Sequence, residues 1–191
     1  MSPVFATLRD EAAAWCRGKN GWIRLPFFIF FVFYVAKILI KPAFCNVFAS
    51  LNLAFHEAGH VFFSCFGKFF GILGGTLLEC LMPFFLGIHF YRQREFFGIA
   101  LCFGWVATVF SGVAVYCGDA RAESLPLVTL FGMEPEIAHD WNYLLGQMGI
   151  LRYDLAVASL FRVLGAASLI VCLVTGIWLI RRMIMTRNAD A

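Results

Sequence analysis

Residues 43–66 read AFCNVFASLNLAFHEAGHVFFSCF. The stretch is apolar and long enough to cross a bilayer, which takes about 20 residues of helix. Yet it holds His56, Glu57 and His60. Residues four apart share a helix face, so His56 and His60 can present imidazole nitrogens to one point. Glu57 stands beside them, placed to take a proton from a water activated there. Three ionisable groups in hydrocarbon are costly, so packing explains them poorly and a functional site is the default reading. His-Glu-x-x-His on a helix is the pattern of two zinc ligands and a carboxylate base. Zn2+ is therefore the expected cofactor, with His56 and His60 as ligands and Glu57 as general base.

The rest of the chain suits a membrane. Of 191 residues, 61% are hydrophobic, 17% aromatic and only 14% charged, and the mean hydropathy is +0.81. Soluble domains carry about 25% charge. The formal charge of +3 comes from basic residues flanking apolar runs, which suits lipid headgroups and gives no sign of nucleic acid. Seven scattered cysteines (16, 45, 65, 80, 102, 117, 172) form no CxxC pair and no disulfide framework.

The expected fold is all-α, a polytopic membrane helical bundle of about four full spans: 43–66, 72–91, 96–117 and 155–180. Residues 26–40 form a shorter run, broken by Lys37 and ended by Lys41-Pro42. Its length suits a re-entrant or interfacial segment. Residues 1–25 read as an amphipathic surface segment, in which Thr7 caps a short helix with Asp10 and Glu11 in its first turn. Residues 26–180 then make one membrane-embedded domain and 181–191 a basic tail. If 26–40 does not cross, most basic residues gather on one side, which places both ends in the cytoplasm.

This arrangement puts the loop 118–154 on the same side as His60. It supplies Asp119, Arg121, Glu123, Glu134, Glu136, His139 and Asp140. A catalytic zinc site takes three protein ligands and leaves one position open. His139 is preferred as the third ligand, then Asp119, then Asp140. Each has a plainer role available. Asp119 can pair with Arg121. Asp140 precedes the helical pattern Trp141, Leu144, Leu145, Met148, ended by Gly149, and can cap it or support a ligating imidazole. Glu79, within the 72–91 run, lies on the same side and can line the site. Gly74 and Gly75 allow either close helix packing or an extended backbone able to pair with an unwound substrate.

Phe55-His56-Glu57-Ala58-Gly59-His60 in a membrane helix, a following Gly74-Gly75 and a distal acid together resemble the site-2-protease type of intramembrane zinc metalloprotease. The resemblance covers the three central spans, about half the chain. It implies that His56, His60 and a distal acid hold zinc and that Glu57 activates water. A peptide bond within or next to a transmembrane segment would then be cut. The distal motif departs from the family's Asp-Gly, reading Gly118-Asp119-Ala120-Arg121 and His139-Asp140-Trp141, which leaves the third ligand open. The expected partners are a membrane-protein substrate, the lipid bilayer and a regulatory membrane protein gating access. The expected location is a bacterial inner (plasma) membrane. Two other functions fit the same residues: non-catalytic metal binding or transport, and zinc-dependent hydrolysis of a non-peptide amide or a lipid.

Overall fold

A computed structural model describes residues 3–41, 46–125 and 139–189. They form an all-α bundle with no strand among the described residues. Its helices are α1 (Pro3–Trp15), α2 (Gly21–Ile40), α3 (Ala49–Phe63), α4 (Lys68–Arg92), α5 (Phe96–Gly118), α6 (Asp140–Gln147) and α7 (Asp154–Ala189). Short 3-10 turns follow α3 (Ser64–Phe66) and precede α7 (Leu151–Tyr153). Among the described residues, four segments are long and apolar enough to cross a membrane: Gly21–Ile40, Lys68–Arg92, Phe96–Gly118 and Leu151–Arg187.

Helix α5 is the central post. Ala100, Gly104, Ala107, Ser111 and Ala114 recur at helical spacing along it and are all buried. Such small residues let neighbouring backbones approach, the usual source of helix association where lipid removes the hydrophobic drive. Gly165 of α7 lies over Ala107, close enough that a Cβ there would stand 3.3 Å from the Ala107 carbonyl oxygen. Trp105, Val109, Val113 and Cys117 join Trp141 and Leu145 of α6 in one core cluster. Ala12 of α1 and Cys16 just after it join Phe96, Leu179 and Met183 in another. The second cluster puts α1, the start of α5 and the end of α7 at one end of the bundle. Both termini of the described chain therefore lie at that end.

The two N-terminal runs exchange the roles expected of them. The run beginning at Pro26 belongs to a 20-residue helix that starts five residues earlier, where Asn20 caps it by accepting from the Trp22 N–H at 3.0 Å. Arg24 is accommodated in the first turn by pairing with Glu95 at 3.1 Å and lying over the Trp15 ring. The run 43–66 instead yields a 15-residue helix of about 22 Å at 1.5 Å per residue, short of a full span. Its start lies beside the middle of its neighbours, with the Phe48 ring against Phe31, Tyr34 and Trp105. Its end is set by the 3-10 turn and by Gly67 at φ 96°. Residues 42–45, including Cys45, lie outside the described residues.

Smaller expectations shift as well. Helix α1 begins at Pro3, so Thr7 lies inside it and does not cap it. The helix expected after residue 140 is present as α6 and ends before Gly149, whose φ of 69° suits glycine. His139, however, is its cap, accepting from the Asn142 N–H at Nδ1. The six described cysteines are free.

Candidate metal centre

The site is built by two antiparallel helices whose facing stripes repeat every four residues. On α3 these are Asn52, His56 and His60; on α4 they are Gly71, Gly75 and Glu79. Asn52 fixes the deep end of α3 by accepting from the Trp105 indole N–H at 2.8 Å. Gly59 and Gly74 bring the two backbones together, since a Cβ on Gly59 would collide with the Gly74 carbonyl. In this register His60 faces Gly71, His56 faces Glu79, and Gly75 lies between them.

Each imidazole is oriented by the nitrogen it does not offer. His60 Nδ1 donates to the Gly71 carbonyl oxygen at 2.9 Å. A carbonyl can only accept, so Nδ1 carries a proton, and Nε2 is the nitrogen left to offer a lone pair when the ring is neutral. His56 Nδ1 lies 3.3 Å from Glu79 Oε2, the carboxylate–imidazole support common behind metal ligands. Gly75 leaves the space both nitrogens face. A Cβ there would stand 2.7 Å from His60 Nε2 and 2.8 Å from His56 Nε2.

The third group comes from α6. Asp140 Oδ2 lies 2.8 Å from His56 Nε2 and 3.3 Å from His60 Nε2. His56, His60 and Asp140 offer ligand atoms within 4.8 Å of one another. Bond lengths near 2.0–2.1 Å around a tetrahedral ion give ligand–ligand edges of about 3.3 Å, so this donor set fits a small divalent cation. Burial alone would raise the Asp140 carboxyl. Its hydrogen bonds to His56 and His60 outweigh burial and hold it down at about 2. The Tyr116 hydroxyl accepts the Asp140 backbone N–H at 3.1 Å, and the Asn142 side chain donates to the Ala120 carbonyl at 2.8 Å. These two bonds fasten α6 to the end of α5.

The structure thus gathers His56, His60 and Asp140 and turns the preferred third ligands to other work. His139 Nε2 faces Asp119 Oδ2 at 3.7 Å, its Nδ1 is occupied by the cap, and its ring packs on Tyr116 with centroids 4.4 Å apart. Burial lowers the His139 imidazole, with the Asp119 charge opposing. Asp119 does not pair with Arg121. It accepts from the Ser124 N–H and hydroxyl and from the Leu125 N–H, while Arg121 pairs with Asp154 at 2.8 Å. Burial raises the Asp119 carboxyl, but these hydrogen bonds hold it below the usual range. Glu134 and Glu136 lie outside the described residues.

Glu79 supports His56, as a residue lining the site should. Gly74 and Gly75 sit buried inside the regular helix α4. Their backbone is not extended, and the reading of that segment as a strand for substrate is replaced by close packing of α3 on α4. Glu57 is half-buried, has no hydrogen-bond or ion-pair partner among the described residues, and lies near enough for its charge to act on Tyr116. Gly71, Tyr116 and Asn52 belong to the site but carry little sequence signal. The four-residue echo of 52, 56 and 60 in 71, 75 and 79 could have revealed Asn52 and Gly71, while no sequence pattern marks Tyr116.

No protein-family profile matches the chain, and neither curated proteins nor solved structures show significant similarity to it.

Proposed function

We propose that the protein is a membrane-embedded zinc metallopeptidase that hydrolyses a peptide bond within or next to a transmembrane segment. One observation supports this most: His56, His60 and Asp140 converge on the space left by Gly75, while the next side chain along, Glu57, has no partner among the described residues. Two imidazoles and one carboxylate are a catalytic zinc set, because a purely structural site would close the fourth position with another protein ligand.

When bound, zinc supplies Lewis acidity that brings a water in the open position to a pKa of about 7 and polarises a carbonyl. The chain's residues do the rest. His56, His60 and Asp140 hold the ion, and Gly71 and Glu79 keep both imidazoles in the required orientation. A Glu57 carboxylate oxygen takes the proton of the attacking water and returns it to the nitrogen of the departing amine. The short reach of α3 suits this chemistry, since it stops short of a full span and ends in the 3-10 turn Ser64–Phe66, which leaves water a route in from that side. A peptide bond in a transmembrane helix must first unwind, because its carbonyls are already hydrogen-bonded.

The location belongs to the same proposal: a bacterial inner (plasma) membrane with both termini cytoplasmic. Nine of the fifteen Lys and Arg residues (9, 17, 19, 24, 92, 94, 181, 182, 187) fall at the terminal end of the bundle, which follows the positive-inside rule.

The test measures metal content and cleavage of a single-span reporter by detergent-purified wild type, Glu57→Gln and Asp140→Ala. Wild type and Glu57→Gln should each hold about one zinc per chain, with cleavage reduced in Glu57→Gln by about 10²–10⁴-fold. Asp140→Ala should lose both. A folded wild type without zinc, or a fully active Glu57→Gln, would refute the reading.

A further inference from the structure

A second site lies at the opposite end of the bundle, on the lipid face between α2 and α7. A groove of about 560 Å³ is lined by Leu25, Phe28, Ile29 and Val32 of α2 and by Leu173, Ile177, Ile180 and Ile184 of α7. Both sets recur at helical spacing, so each helix turns one apolar stripe to the groove. Gly176 lets the Phe28 ring drop against α7, and Phe28 and Ile180, each only 3% exposed, form the floor.

The groove runs from Trp22 to Phe33 along α2, about 17 Å at 1.5 Å per residue. That is close to one leaflet of a hydrocarbon core about 30 Å thick. Arg181 is its one charged lining residue, placed at the end where α2 starts and α7 finishes. Nearby cations are engaged: Arg24 with Glu95 and Trp15, Lys19 over Trp15, and Arg182 over Trp178. Arg181 is exposed and has no partner among the described residues.

An apolar channel one leaflet deep, with an exposed guanidinium at its mouth, matches the chemistry of an anionic phospholipid. We propose that one such lipid binds here, its acyl chain in the groove and its phosphate on Arg181. A guanidinium forks onto phosphate oxygens in a way that lysine cannot reproduce. The site is independent of the metal centre.

Native mass spectrometry in mixed micelles tests this with phosphatidylglycerol and phosphatidylcholine of identical acyl chains. Wild type should retain about one phosphatidylglycerol per chain in preference to phosphatidylcholine. Arg181→Ala should lower that preference about fivefold, the effect of one basic residue at an anionic surface. Ile177→Trp should fill the groove and reduce retention of both lipids. Since Arg181 is exposed, its removal leaves the fold intact, and the intact mass and circular dichroism verify this. Equal retention of the two lipids by wild type would overturn the proposal, as would an unchanged preference in Arg181→Ala. So would a lipid-free dimer, which would show that a second copy of the chain occupies the groove.

Discussion

Gly75 decides whether the two imidazoles can share an ion. Any side chain there would push its Cβ to within 2.8 Å of both Nε2 atoms, into the space a cation needs. Gly75→Ala should therefore weaken metal affinity by about tenfold or more, the scale on which disturbed support of a ligand is felt. The helix itself should persist, since alanine favours it over glycine. Competition with a fluorescent chelator measures the loss, and an unchanged affinity would mean that the ion binds elsewhere. The same two imidazoles fix the pH dependence. Each must give up its proton at Nε2 to bind. The binding constant should fall as pH drops, steepening toward two protons released per ion. A pH-independent constant between pH 7 and 5 would show that the histidines are not ligands.

At the scale of elements, the last ligand depends on how α6 is fastened. Replacing Tyr116 by Phe removes the acceptor of the Asp140 N–H and should lower metal affinity by about tenfold, less than the complete loss expected for Asp140→Ala. Asn is a good N-cap, so His139→Asn should keep the α6 cap and a full complement of metal. Loss of the ion in His139→Asn would instead make His139 the ligand. These outcomes show where sequence was legible. His56, Glu57 and His60 are four-residue neighbours in one helix, and local periodicity alone places them. The third ligand arrives from 80 residues away, where a one-residue difference in capping register exchanges His139 and Asp140. His139 is the softer donor of the two, but its Nδ1 is consumed by the cap, and position outweighs donor type. The spans show the same limit. Apolar length revealed four crossings and the all-α class. It did not reveal that Asn20 starts α2 inside a polar stretch, or that the run bearing the site is itself too short to cross.

For the whole molecule, exchanging the roles of the first two runs leaves the number of full crossings at four, because α2 gains one as α3 loses one. Both termini stay at one end, with Arg17, Arg24, Arg92 and Arg187, while Lys41 moves to the metal-site end, the end that also holds Lys68. The two topologies therefore predict different sides for the link after residue 40. If 26–40 only touched the membrane, Lys41 would share a side with the termini. If α2 crosses, it lies opposite them. Single cysteines at Asn20, Lys41, Lys68 and Arg187, in a chain with its native cysteines replaced, read this directly with an impermeant maleimide on intact cells. With both termini cytoplasmic, Lys41 and Lys68 should label from outside while Asn20 and Arg187 should label only after permeabilisation. Labelling of Lys41 together with Arg187 would return α2 to the surface. The terminal-end lipid groove would then have to be abandoned, because α2 would no longer stand along α7 through a leaflet. The centre built by α3, α4 and α6 would be untouched, since none of its ligands comes from α2.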